Sequence, residues 1–89
     1  MKLKYQFVVS TIDGKPVAVA VGRDNDRFNG MIRLNASGEM IFKTLCDGDI
    51  SLNDLLRCFA VQFGVTEEVA KPSVLAFLNQ LRENDLLDE

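Results

Sequence analysis

The sequence contains no histidine, and this absence removes the side chain that most often serves proteins as a general base and as a metal ligand. It also contains no Gly-x-Ser-x-Gly sequence, no phosphate-binding loop and no Cys-x-x-Cys pair. The carboxylates of the helical segments lie at positions expected on solvated faces. We therefore predict that the chain binds a partner, is not an enzyme, and carries neither a metal ion nor a cofactor.

Cysteines and long apolar runs are also scarce. The two cysteines, Cys46 and Cys58, both lie within helical apolar patterns, where a pair of buried thiols is more common than a disulfide or a metal site. No apolar run approaches the roughly 18 residues that a membrane span needs, and the N-terminus lacks the pattern of a secretory signal. We expect a cytoplasmic protein with no membrane partner.

Positive charge is in the minority, since 10 Lys and Arg against 13 Asp and Glu give a net charge of -3. Proteins that bind nucleic acids normally present a basic face, so this balance argues against such a partner. The most charged loop, GRDNDR at residues 22–27, spaces Asp24 and Asp26 as some calcium loops do. The remaining ligands of a calcium loop are missing, which favours a solvated hairpin loop.

Alternation of apolar and polar residues predicts three strands in the first part of the chain, at residues 5–10, 17–21 and 28–34. An Asp13-Gly14 pair between the first two is a strong hairpin-turn signal. In the third strand, one face carries Asn29, Met31 and Arg33, and the other carries Phe28, Ile32 and Leu34.

The hydrophobic period then changes to that of a helix. We predict one helix from a cap at Asn35 or Ser37 to about Asp47, a second that Ser51 caps and Gly64 ends, and a third that Thr66 opens. Proline at position 72 either kinks the start of the third helix or moves that start to Pro72 itself. The chain is thus expected to form one α+β domain over residues 1–89.

Two segments carry a resemblance to a known family. They are LNASGEMIFKTLCDG, residues 34–48, and the tail VTEEVAKPSVLAFLNQLRENDLL, residues 65–87. Together with the intervening ISLNDLLRCFAVQFGV, they resemble the PqqD-like proteins, named for coenzyme PQQ synthesis protein D and also called RiPP recognition elements. The resemblance covers residues 5–87. Pro72 and Ser73 depart from the charged, helix-compatible residues that are usual in the family.

The resemblance implies a winged-helix-like domain, with a three-stranded antiparallel sheet followed by three helices. It also implies binding of the leader part of a ribosomally made precursor peptide, which adds as a strand to the edge of the third strand beside the third helix. The domain then presents the peptide to a modifying enzyme, commonly a radical SAM enzyme. Synthesis of PQQ itself is only one of the pathways that such a protein can serve.

We place the peptide groove on one side of the third helix. Ala70, Val74, Phe77 and Leu81 are expected to face the core, while Leu75 and Leu78 line the groove and Arg82 pairs with a leader carboxylate. Leu75 could instead be a single exposed leucine, and Arg33 either a solvated residue or a leader contact. The predicted peptide-binding residues are Asn29, Met31, Ile32, Arg33, Lys71, Leu75, Leu78 and Arg82.

Two other functions are compatible with the pattern. A winged-helix DNA-binding protein would suit the helices, but the third helix carries only Lys71 and Arg82 as cations against three glutamates, and a recognition helix needs basic or amide side chains. The other alternative is a structural homodimer subunit that pairs through an exposed strand edge.

Overall fold

The computed structural model describes residues 1–21 and 31–89 of the chain. In chain order its elements are β1 (Lys2–Leu3), β2 (Phe7–Ile12), β3 (Lys15–Ala20), β4 (Met31–Arg33), α1 (Ala36–Cys46), α2 (Leu52–Phe63), α3 (Glu67–Glu83) and β5 (Leu87–Asp88). The charged loop at 22–27 with Asp24 and Asp26, and the first residues of the predicted third strand, lie outside the described residues.

Strands β2, β3 and β4 form an antiparallel sheet in that spatial order, and the three helices follow it along the chain. This arrangement confirms the predicted α+β class. A two-residue turn joins β2 to β3, and its residues Asp13 and Gly14 both have positive φ angles, 53° and 75°. Asp-Gly suits such a turn because glycine, and to a lesser extent aspartate, tolerate this left-handed region.

The central strand β3 places side chains of different size on the two faces of the sheet. On the face that packs against the helices, β3 contributes Ala18 and Ala20, which are fully buried beside Phe7 and Leu34. These small side chains let the helical layer approach the sheet closely. The larger residues of β3, Val17 and Val19, lie on the opposite face together with Val8 and Met31.

Each of the three helices in residues 31–89 begins at a residue whose side-chain oxygen accepts the N–H of the residue three positions further on. These capping residues are Asn35, Ser51 and Thr66, with donor–acceptor distances of 2.7, 3.1 and 3.1 Å. The structure thus selects Asn35 over Ser37 as the cap of α1. Gly64 ends α2 in the left-handed conformation, at a φ of 63°.

Pro72 lies inside α3, which begins at Glu67 and continues through the proline. The first turn is intact, since the N–H of Ala70 donates to the carbonyl of Thr66 at 2.9 Å. The helix start is therefore not displaced to Pro72. Proline cannot donate to the carbonyl of Glu68, but Glu68 is exposed, so this carbonyl lies on the solvent side of the helix.

The core joins the sheet, all three helices and the end of the chain. Its largest fully buried side chains are Phe42, Ile41, Leu45, Leu55, Leu78, Leu86 and Val74. A second, two-stranded sheet pairs β1 with β5, so that Leu3 lies opposite Leu87. The sequence did not predict this sheet, because strands of two residues carry no periodic signal.

Both cysteines, Cys46 and Cys58, are free and exposed, so the predicted burial of their thiols is wrong. The neighbouring Leu45 and Phe59 occupy the buried positions of the two helices instead. Among residues 1–21 and 31–89, no helix has the length and apolar content needed to cross a membrane.

Candidate functional site

The outer edge of β4 presents backbone groups that the sheet does not use. The N–H of Leu34 donates to the carbonyl of Pro16 at 3.0 Å, which fixes Leu34 and Ile32 as the residues whose backbone faces β3. Because backbone direction alternates along an antiparallel strand, the N–H and C=O groups of Met31 and Arg33 point away from β3. Within the described part of the chain, β4 has no partner on that side.

Helix α3 borders two adjoining depressions, the first shared with this edge and the second with the start of α1. The first has a volume of about 260 Å³ and is lined by Met31, Ile32, Arg33, Phe77, Gln80, Leu81, Asn84 and Leu86. The second has a volume of about 210 Å³ and is lined by Asn35, Ser37, Ser73, Ala76, Phe77 and Gln80. We call the two depressions together the trench, since both contain Phe77 and Gln80.

The trench has an apolar floor and a polar rim. Leu81 and Leu86 are buried beneath it, and Ile32 and Phe77 are half-buried hydrophobic side chains that pack against the same core. On the rim, the side-chain amide of Asn84 donates to the backbone carbonyl of Gln80 at 2.8 Å, which holds the Asn84 side chain against the helix. An extended segment lying here would meet apolar surface below and amide groups beside it.

Charge is nearly absent from the trench. Arg33 is the one ionisable side chain among the described lining residues, and it makes no ion pair with another described residue. The described residues also contain no cluster of three or more acidic or cysteine side chains that would hold a metal ion. The arrangement is suited to a mainly uncharged extended segment.

The strand residues of the predicted peptide-binding set lie at the trench. Met31, Ile32 and Arg33 all line its first depression. Asn29 belongs to the same predicted set and lies outside the described residues.

The helix residues of that set do not line the trench. Leu78 has no exposed surface and belongs to the core, so its assignment to the groove side is wrong. Leu75 is half-buried and Lys71 is exposed, but neither lines either depression. Arg82 donates to both carboxylate oxygens of Glu89, at 2.9 and 2.7 Å, and these hydrogen bonds lower the pKa of the Glu89 carboxyl.

The helix turns its other flank towards β4. Besides Phe77 and Leu81 on its core side, α3 lines the trench with Ser73, Ala76 and Gln80, and its C-terminal capping residue Asn84 continues this flank. Sequence reasoning missed them because hydrophobic period identifies the direction of the core but not which of the two flanks meets the strand. A signal was available, since this flank carries no charge while the rest of the exposed helix carries Glu67, Glu68, Lys71, Arg82 and Glu83.

A larger depression of about 480 Å³ lies elsewhere, between the segment from Lys2 to Phe7 and the end of α1. It contains no residue of β4 or α3. This depression is larger than either part of the trench, but only the trench of the two adjoins the open edge of β4 with its outward-facing backbone groups. We therefore take the trench as the candidate site.

Comparison with known proteins agrees with the fold. The family model of coenzyme PQQ synthesis protein D (PqqD) matches residues 10–87. A solved structure described as TbiB1 in complex with the TbiA(beta) leader peptide is similar to this chain, with a TM-score of 0.71 and 20% sequence identity, over 99% of this chain and 95% of that one. At this identity the likeness shows a shared fold. The search of curated proteins gave no match.

Proposed function

Because the chain belongs to the family of coenzyme PQQ synthesis protein D, we propose that it is an accessory protein that binds the leader part of a precursor peptide and presents it to a modifying enzyme. The observation that carries this proposal is the open edge of β4 beside the trench. The structurally similar TbiB1 is itself in complex with a leader peptide, which supports the same class of ligand here.

The leader would bind by adding a strand to β4. In an antiparallel arrangement, one peptide residue exchanges two hydrogen bonds with Met31 and the residue two positions away exchanges two with Arg33. Each bond contributes about 0.5–1.5 kcal/mol net, so four bonds give useful affinity with little dependence on peptide sequence. Sequence selection must then come from side chains.

Selection would take place in the trench. Peptide residues opposite Met31 and Arg33 point to the outer face of the sheet, and the residue between them, opposite Ile32, points towards Phe77 and Leu81. An apolar side chain fits there because the floor of the trench is apolar and its charge is limited to Arg33. Asn29 stays a predicted contact further along the same strand.

The proposal for the partner enzyme rests on the family alone. The family favours a radical SAM enzyme that acts on the bound peptide, with PQQ synthesis as one of several pathways. The present chain would contribute no catalytic group, and its role would be to bind and orient the peptide. This role places the protein with its precursor and enzyme in the cytoplasm.

Proline and alanine substitutions of Arg33 test the strand addition directly. Arg33→Pro and Arg33→Ala both remove the guanidinium, but only proline also removes the outward N–H, and neither change touches a hydrogen bond to β3. We expect the proline variant to bind its leader peptide roughly tenfold more weakly than the alanine variant, because one hydrogen bond of about 1.4 kcal/mol is lost. Fluorescence anisotropy with a labelled leader peptide measures this ratio. Equal affinities of the two variants would exclude the proposed edge.

A further inference from the structure

The face of the sheet that points away from the helices is mainly apolar, and most of its residues are exposed. We call it the outer sheet face, and it consists of Val8, Ser10, Ile12, Lys15, Val17, Val19, Met31 and Arg33. Val8, Val19 and Met31 lie opposite one another in a single row across the three strands. Val8 and Met31 are 51% and 56% exposed, and Ile12 is 45% exposed. A contiguous apolar surface of this kind marks an interaction site more often than a scattered exposed residue does.

This face also has a shaped depression at one end. A hollow of about 200 Å³ is lined by Ile12, Asp13, Lys15, Pro16, Val17, Met31, Arg33 and Leu34. Val17 forms its apolar floor and is almost completely buried there, although it belongs to the outer sheet face and not to the main core. An apolar side chain from a partner protein can enter this hollow.

We propose that the outer sheet face is the docking surface for the enzyme that acts on the bound peptide, and that the peptide strand completes this surface. The second part rests on the proposed leader binding. Peptide residues paired with Met31 and Arg33 project their side chains onto the same outer face, because directly opposed residues of a sheet point to the same side. The peptide site and the docking surface are therefore continuous.

The size of the surface agrees with completion by the peptide. Two strands of six residues and one of three, about 4.8 Å apart, project an area of roughly 240 Å², whereas a stable interface buries about 800 Å² on each partner. The face alone supports weak docking, and a fourth strand enlarges it by about a third. Enzyme affinity is therefore expected to rise when the peptide is bound.

Charge favours an enzyme over a second copy of the chain. Lys15 and Arg33 are the charged side chains of the face itself, with Asp13 at the adjoining turn. A second copy would bring the same two cations, while an enzyme with an apolar patch and an acidic rim complements them. The occupant is accordingly a protein with that combination on its surface.

The test uses the full chain and a purified modifying enzyme that acts on the peptide bound by this protein. Val8→Glu places a charge in the exposed row on β2, about 14 Å from a peptide strand added to β4, so it leaves peptide contacts untouched. The matched control is Val61→Glu, because Val61 is a 78% exposed valine on α2. Enzyme affinity is measured by biolayer interferometry with and without leader peptide, and peptide affinity by anisotropy on the same proteins.

We expect Val8→Glu to weaken enzyme binding at least tenfold, while Val61→Glu leaves it within twofold and both variants keep their peptide affinity. The peptide should strengthen enzyme binding to the unmodified chain. The docking surface is excluded if Val8→Glu has no effect, if Val61→Glu has an equal effect, if the enzyme does not bind, or if the face only joins two copies of the chain. A third outcome is that the protein binds the enzyme, loses this binding on Val8→Glu, and binds no peptide. This outcome would exclude the proposed function and the completion of the surface by the peptide, and would support the docking surface alone.

Discussion

The aromatic ring of Phe77 lies against the backbone of Gly38, so closely that a β-carbon at position 38 would be 2.9 Å from Cε2 of the ring. Gly38 is buried near the start of α1, and Phe77 is the residue of α3 that belongs to both depressions of the trench. The missing side chain of Gly38 therefore sets the position of the ring that shapes the site.

Gly38→Ala is expected to weaken peptide binding without unfolding the protein. The new methyl group forces the end of the Phe77 side chain to move, and the trench is the open space beside it. Alanine also gains about 1 kcal/mol of helix propensity over glycine, which offsets part of the clash. We expect a roughly tenfold loss of peptide affinity by anisotropy, and a change in unfolding free energy of less than about 1 kcal/mol.

The control for this prediction is the same change in a Phe77→Leu background. Leucine leaves room for the added methyl group, so Gly38→Ala should then have no further effect on peptide affinity. Additive losses in the double variant would show that Gly38 does not act through Phe77.

Substitution of two leucines on α3 separates the core from the flank. Leu78 has no exposed surface, so Leu78→Ala removes a fully packed side chain and is expected to cost about 2–5 kcal/mol of unfolding free energy. Leu75 is half-buried, and Leu75→Ala should cost less than half as much. Urea denaturation measures both values. A larger loss for Leu75→Ala than for Leu78→Ala would contradict the core described here.

These leucines also show how far the sequence could lead. Features that depend on local sequence signals could be predicted: the turn at Asp13-Gly14, the caps at Ser51 and Thr66, and the order of strands and helices. The flank of α3 that meets β4 depends on how the helix is rotated in the folded chain. Leu75 was predicted to line the groove because it is apolar. The trench is lined instead by the uncharged Gln80 and Asn84 together with Phe77.

The pair between Arg82 and Glu89 predicts a pH-dependent contribution to stability. Its hydrogen bonds hold the pKa of the Glu89 carboxyl below its ordinary value of 4.5. A carboxyl with a lowered pKa in the folded state stabilises the fold above its unfolded pKa, and this contribution disappears as the pH falls through the folded value.

Glu89→Gln should therefore lower the melting temperature slightly at pH 7, and this difference should shrink as the pH falls below 4.5. Both side chains are solvent-exposed, so 1 M salt should also reduce the difference at pH 7. Thermal unfolding of the two proteins across this pH range provides the measurement. An effect of Glu89→Gln that does not shrink in acid would assign the stabilisation to packing of the side chain and not to its charge.

An alanine scan of the leader peptide is expected to show a period of two. Peptide side chains that alternate along an added strand point into the trench or onto the outer sheet face, and only the inward ones contact Phe77 and Leu81. Alanine at an inward position should reduce affinity for this protein by about tenfold, since burying a large apolar side chain contributes about 1.5–3 kcal/mol. Alanine at an outward position should leave that affinity within about twofold, because those side chains remain exposed until the enzyme docks. The same outward substitutions should instead weaken enzyme binding to the complex. In a helical leader, by contrast, the positions sensitive to alanine would recur every three or four residues, so the period distinguishes an added strand from a helix.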